Sequence, residues 1–517
     1  MNLRIQPRSI LLVGLLAAAT SAEVIRCPHH DEPDPQWNRG ANGATAVAGR
    51  MAADPAPQML ETAHFAIFYH TSGVHAVAGA AIDRDGNGHP DNVDSIGAIA
   101  ERVWRLSIDT LEYLKPIPYD TTLGYKALVP AGKFPIEVAD MATFVSSWGG
   151  KRYMGFADRP TADKTGANRQ SLVIENDFVD SKDGKAIQVK VDPINTNGTD
   201  SLLIDYTQEP VKGWKVAISH EFYHNLQHRY DASYLYGFHE MSAVWYATRC
   251  YPDVKHHWQY YPGYIKNINI TAFETGGLSA YENFPFVTAM TSALGEGILK
   301  DLWSVRKKTF TGGEDYWIRD AFDSLKVDVV PFSKLYVQSV LELASGVPGL
   351  LNEQGTLKVN PKIEPFPLIR QEGSGTNGAQ PHGIELRKLH PDQFKDGWNM
   401  RFDPTTTYSS AGWVRLPSGK VEVYRPTDAP VIVGASEGDT AWYFAIMSAP
   451  LRNTYYSVDI RMTQTPITSV RRRAIGLRPA PQYRVDLQGR PVRAGTRGII
   501  LEGAPSTGWT RAVKMGE

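Results

Sequence analysis

Trp214-Lys215-Val216-Ala217-Ile218-Ser219-His220-Glu221-Phe222-Tyr223-His224-Asn225-Leu226, followed closely by Phe238-His239-Glu240-Met241-Ser242-Ala243-Val244-Trp245, decides how this chain is read. Trp214, Ala217, Ile218 and Leu226 support a helix over residues 211–230. Residues four apart on a helix share a face, so His220 and His224 can reach one cation while Glu221 engages a water on it. That pattern suits zinc, which takes about four ligands at roughly 2.0–2.2 Å and keeps one position open when catalytic. A third protein ligand is then needed. A metzincin would supply Gly at 227 and His at 230, where this chain has Gln227 and Tyr230. A gluzincin supplies a Glu from the next helix, and Glu240 stands sixteen residues after His224. The geometry closes if the chain reverses around Asp231-Ala232-Ser233 and Gly237.

In that arrangement Glu221 is the general base, and a separate donor must meet the oxyanion. Tyr281 is the leading candidate, with His228, His239 and Tyr230 beside it. The competing reading makes His220 and His224 packed histidines and Glu240 a solvated helix acid. His228 extends the stripe by one turn and reads as a packed residue or as support for the ligands.

A second ion motif lies upstream, over residues 83–94. Asp83, Asp85, Asn87, Asp91 and Asp94 occupy the oxygen-ligand positions of a calcium loop, with Gly86 at the sharp turn and the His89 carbonyl as a further ligand. The closing acid is Asp rather than Glu, which shortens its reach. A structural calcium ion is expected here, against an ordinary Asp/Asn/Gly turn.

Length and composition set the frame. A chain of 517 residues exceeds what one core usually organises, so two or three domains are expected. With 54 basic and 55 acidic residues, nothing points to nucleic acid or an anionic membrane. Arg4 and Arg8, the apolar run over residues 10–19 and Thr20-Ser21-Ala22 read as a signal peptide cleaved after Ala22. The expected product is secreted or held at the cell surface, because no later stretch approaches the ~18 apolar residues of a transmembrane helix. Cys27 and Cys250 are the only cysteines, and an oxidising compartment favours a disulfide between them over two buried thiols.

The chain divides by pattern. Residues 1–22 form the leader and 23–60 a Pro- and Ala-rich linker or short pro-segment. Apolar strands at 64–69 and 171–174, with helices at 93–106, 211–230, 281–302 and 329–343, give an α+β fold over 61–350: a zincin-like catalytic domain with an N-terminal mixed sheet and a helical second half. A linker at 351–383 precedes short strands over 384–465, read as a small β-sandwich-like domain, and a β tail over 470–517.

These motifs, in this order, resemble a family of secreted bacterial metalloproteases. In that family an HF.I.Y strand and a D.D.NG.PD.VD loop precede an HEFFH-type helix and an E..AVW helix. Here they read as residues 64–69, 83–94, 220–230 and 240–245, with Tyr251-Pro252-Asp253 and Tyr281-Glu282-Asn283-Phe284 also similar. The resemblance spans roughly residues 60–320 and implies a gluzincin catalytic domain holding Zn2+. The end of the chain, through Tyr483-Arg484-Val485-Asp486-Leu487 and Arg497-Gly498-Ile499-Ile500, is similar to the C-terminal sorting tails of type IX secretion, although Gly516-Glu517 departs from their basic ending. It implies outer-membrane secretion machinery as a partner. The expected activity is a secreted zinc endopeptidase acting on protein or peptide substrates. A surface adhesin with a non-catalytic metal site and an aminopeptidase are the alternatives.

Overall fold

The computed structural model describes residues 56–351 apart from 123–124, 145–152, 158–168, 182, 192–201, 232–235, 269–278 and 310–313. Beyond these it describes 383–389, 399–401, 408–416, 418–424, 432–434, 441–448, 462–463, 483–485, 498–504 and 508–515. The leader, the linker and Cys27 lie outside the described residues.

Strands β1 (Gln58–Glu61), β2 (Phe65–Tyr69), β3 (Phe134–Ala139), β4 (Gly155–Ala157) and β5 (Leu172–Glu175) form one mixed sheet in the order β1-β2-β3-β5-β4. The three inner strands are parallel, pairing Phe65 with Phe134 and Ile136 with Leu172. Both edge strands run antiparallel to their neighbours. Strands β2 and β5 are the two expected from sequence, and every residue in each is buried. Such strands read as unbroken apolar runs because both faces are covered.

Helix α1 (Asp91–Trp104) buries Val93, Ile96, Ile99, Ala100 and Val103 at helical spacing, and a π-helical turn, Arg105–Thr110, continues it. Helix α2 (Pro210–His228) begins with Pro210, whose missing N–H costs nothing in a first turn. From Gly213 onward only Lys215 reaches beyond the interior. A helix buried all round has no solvent face, so packing and buried polar contacts rather than amphipathicity hold it in place. Gly213 is required, because a Cβ there would sit 2.2 Å from the Phe178 ring. The Trp214 indole donates to the Glu175 carbonyl at 2.8 Å, and the Gln170 amide to the Asn225 carbonyl at 2.5 Å, pinning both halves of α2 to the β5 side of the sheet.

Helix α3 (Tyr236–Cys250) packs on α2. Tyr281 and Glu282 close a short helix, α4 (Ser279–Glu282). Beyond it α5 (Phe284–Leu294) stops at Gly295, φ +90°, before α6 (Gly297–Thr309) restarts. The stretch expected as one helical run over 281–302 is therefore divided at a left-handed glycine. Helix α7 (Val330–Ser345) follows.

Strands β6 (Ile384–Leu389), β7 (Tyr408–Leu416), β8 (Val421–Tyr424) and β9 (Ala441–Ser448) make an antiparallel sheet in the order β6-β9-β7-β8. This sheet covers α7. The Ser333 and Ser410 hydroxyls meet at 2.8 Å, and a Cβ on Gly412 would lie 3.1 Å from Leu341. Ile384, Val414, Ala445 and Met447 join the same apolar core as α2 and α3. Three short strands, Asn399–Arg401, Ile432–Gly434 and Met462–Thr463, form a further sheet; Tyr483–Val485, Gly498–Ala504 and Gly508–Met515 form the last. The architecture is mixed, a sheet first and helices after, compatible with α+β. Among the described residues no helix is long and apolar enough to cross a membrane.

Cys250 ends α3 and is 1% exposed; the bridge to Cys27 expected from sequence involves a residue outside those described. Burial pushes the thiol up to about 12, and Arg102 donates to the Cys250 carbonyl at 3.0 Å.

Candidate metal centre

Helix α2 presents His220 and His224 on one face, and α3 brings Glu240 against them. His220 Nε2 lies 3.0 Å from Glu240 Oε2, His224 Nε2 2.9 Å from Glu240 Oε1, and the two imidazole Nε2 atoms are 3.1 Å apart. All three residues are buried, at 7%, 2% and 0% exposure. Among the described residues this is the one group of His, Cys, Asp and Glu whose candidate ligand atoms gather within 4.8 Å of one another. A tetrahedral ion bound at roughly 2.0–2.1 Å holds its ligands about 3.3 Å apart, within a few tenths of an ångström of these separations. The group can therefore hold a metal ion.

Gln227 decides which nitrogen of His224 faces that point. Its amide nitrogen donates to the His239 carbonyl at 3.0 Å and to Ser242 Oγ at 2.9 Å. That orients its oxygen toward His224, which donates from Nδ1 at 2.7 Å. With Nδ1 carrying the proton, Nε2 offers its lone pair to the point shared with His220 and Glu240. This outer bond is the one that orients and strengthens a ligating histidine. Two nitrogen lone pairs and a carboxylate so close together repel unless a cation or a proton lies between them. Where only a proton is present, burial pulls His224 down, but the Glu240 carboxylate, with Glu221 and Gln227, outweighs it and raises the group to about 9.

Glu221 leaves α2 on the side of the sheet edge. Its Oε2 accepts the Ala157 N–H of β4 at 2.9 Å, which orients the carboxylate. Gly155 permits that approach: a Cβ would meet the Glu221 Cγ at 3.2 Å and the Val173 carbonyl at 2.9 Å. Sequence reading missed Gly155, Ala157 and Gln227. The first two carry no sequence signal because the contact depends on sheet order. Gln227 had one, its position one turn after His224 on the same helix face.

Tyr281 stacks on His220, ring centroids 5.9 Å apart and planes within 6°, and Tyr260 stacks in turn on Tyr281. Of the other oxyanion candidates, Tyr230 accepts the Leu114 N–H at 3.0 Å, away from the triad. His239 lies 6.5 Å ring to ring from His224, and His228 6.1 Å beyond that. A small recess of about 20 Å3 adjoins His220 between the first half of α2 and the second half of α3. At its floor the His256 imidazole is neutral. Burial, then the neighbouring His220, holds it down to about 3.

In the loop expected to hold calcium, local donors engage the carboxylates. Asp83 accepts the backbone N–H groups of Gly86, Asn87 and Gly88. Asp91 turns away to Arg84, accepting its backbone N–H at 2.8 Å and its guanidinium at 2.9 Å. The Asn87 amide nitrogen, a donor, stands 3.2 Å from both Asp85 and Asp94, while its oxygen accepts the His89 N–H. A hard cation needs converging oxygens at that place.

The fold and site together define a protein with a buried His-His-Glu group, able to hold a metal ion, between two packed helices. No known protein family matches the sequence, and no curated protein matches it either.

Proposed function

We propose that this chain is an exported zinc-dependent endopeptidase, with His220, His224 and Glu240 holding the ion and Glu221 as general base. The observation that carries this reading is the meeting of three buried ligand atoms 2.9–3.1 Å apart, with Gln227 fixing the His224 tautomer and a carboxylate one residue from His220. Zinc rather than calcium or magnesium follows from two imidazole donors, which hard cations avoid.

When bound, zinc lowers the pKa of a bound water towards ~7 and polarises the scissile carbonyl. Glu221, oriented by the Ala157 N–H, takes the proton of the attacking water and delivers it to the leaving amine. Tyr281, stacked on His220, is the nearest hydroxyl-bearing candidate to steady the oxyanion. Export rests on the leader read in residues 1–22, and delivery to outer-membrane secretion machinery on the tail from residue 470; both are readings of sequence. Calcium in the 83–94 loop has no comparable gathering of ligands behind it.

The test is metal analysis of the purified chain together with casein hydrolysis by wild type and Glu221→Gln. One zinc per chain in both proteins, with hydrolysis lower by ~10²–10⁴-fold in the variant, is expected. Equal hydrolysis, or stoichiometric metal with none in either protein, overturns the enzyme reading; the latter favours a binding protein.

A further inference from the structure

Resting on the reading of His220 as a zinc ligand, we infer that Tyr260 is a positioning residue for the metal centre: its ring holds Tyr281, and Tyr281 holds the imidazole plane of His220. The two histidines are steadied by different means. His224 is tied through Nδ1 to Gln227. Among the described residues, the hydrogen bonds of His220 all run through Nε2, the atom it offers to the ion. Rotation of the His220 ring is opposed instead by neighbouring rings. His224 meets it edge-on, centroids 4.7 Å apart and planes at 85°, and Tyr281 lies nearly parallel to it at 5.9 Å and 6°.

Tyr281 belongs to a helix of only four residues, too short to hold its own shape, so its place is set by what packs on it. Tyr260 stacks on it at 5.7 Å, tilted by 28°. Tyr260 closes a 3-10 turn, His256–Tyr260, and is 3% exposed. Its ring meets the His256 imidazole at 5.8 Å and 73°. His256 is anchored in turn. The Gln259 amide donates to its Nε2 at 2.9 Å, so Nδ1 carries the proton and donates to the Tyr206 hydroxyl at 2.6 Å. A column of rings thus runs from Tyr206 through His256, Tyr260 and Tyr281 to the ligand. The Tyr260 hydroxyl stands 3.3 Å from His256 Nε2, a long bond to a nitrogen already accepting from Gln259, so the ring rather than the hydroxyl carries the contact. Offset and edge-on aromatic pairs favour particular ring orientations, which an aliphatic side chain of similar bulk does not. A ligand held to within about 0.5 Å and 10–20° of its working geometry needs that kind of support.

The test uses the full chain and replaces Tyr260, with zinc affinity read by chelator competition and ligand geometry by the visible absorption of protein loaded with Co2+. Tyr260→Met fills the space without a ring; it is expected to bind zinc about 10–100-fold more weakly and to shift the cobalt bands. Tyr260→Phe keeps the ring and should restore both, with zinc affinity within about threefold of wild type. In hydrolysis, Tyr260→Met should lower kcat and leave KM unchanged, the pattern of lost positioning rather than of lost substrate binding. Once Tyr281→Leu is present, adding Tyr260→Met should change neither zinc affinity nor the cobalt bands further, because the two rings act in series. Tyr260→Leu repeats the measurements if the methionine variant does not fold. Zinc affinity and cobalt bands that stay at wild type without the ring, a phenylalanine variant as weak as the methionine one, or losses that add in full with Tyr281→Leu overturn the inference. The zinc and cobalt readouts need no turnover. A wild type that binds zinc and cleaves nothing therefore removes the hydrolase reading alone, and one that binds neither ion removes both.

Discussion

Two stretches of this chain carry metal motifs of similar clarity in sequence, and the structure treats them differently. His220, His224 and Glu240 sit on two packed helices, almost without solvent contact, their ligand atoms 2.9–3.1 Å apart. Asp83, Asp85 and Asn87 sit on an exposed loop whose carboxylates bond backbone amides, an arginine and a side-chain amide. On helices, backbone packing fixes where a ligand atom must be before any ion arrives. On a loop, local donors compete for the same oxygens, and spacing alone does not decide the winner.

The contrast can be broken most decisively at Glu240. Glu240→Ala removes one ligand and leaves two buried imidazoles facing each other. Loss of stoichiometric metal and a destabilisation of about 3–5 kcal/mol, read by metal analysis and denaturant unfolding, are expected.

Next in size is a pH effect on metal-free protein. The folded-state value of His224, about 9, lies above its ordinary 6.5. A raised value gives stability that is full below about 6.5 and lost as pH rises through about 9. The Tm of the metal-free chain should therefore fall across that window, while zinc-loaded protein stays level because the ion replaces the proton. A metal-free Tm that rises across the window would falsify the proposed charge balance.

Gln227→Leu keeps the bulk of the side chain and removes the acceptor for His224 Nδ1–H. Zinc affinity, measured by competition with a chromogenic chelator, should drop about 10–100-fold with little change in fold.

The smallest effect is expected at Asp94→Asn. Within about 0.5 kcal/mol of wild type, with or without millimolar calcium, is the anticipated outcome in thermal unfolding. A large calcium-dependent rise in Tm that this variant abolishes would give the loop an ion after all, and the contrast would shrink to one of exposure.

Much of this was visible beforehand where a residue's neighbours are close in sequence. The helical pair at 220 and 224, the strands at 65–69 and 172–175 and the periodicity of α1 are local patterns. Glu240 was legible because only a short reversal separates its helix from α2. The contact of Ala157 with Glu221 was not, since it depends on β4 joining the sheet edge beside β5, a pairing no local pattern encodes. The break at Gly295 was hidden because apolar residues continue at helical spacing on both sides of it.

The sheet over α7 has a practical consequence. The apolar core runs from α2 through α7 into Val414, Ala445 and Met447, and Ile384 N donates to the Ile268 carbonyl at 2.8 Å. A polypeptide ended at residue 351 would carry every metal ligand and yet uncover an oily helix flank, so it should clump during expression. Clipping the intact protein between the two segments should leave both fragments co-eluting until denaturant parts them.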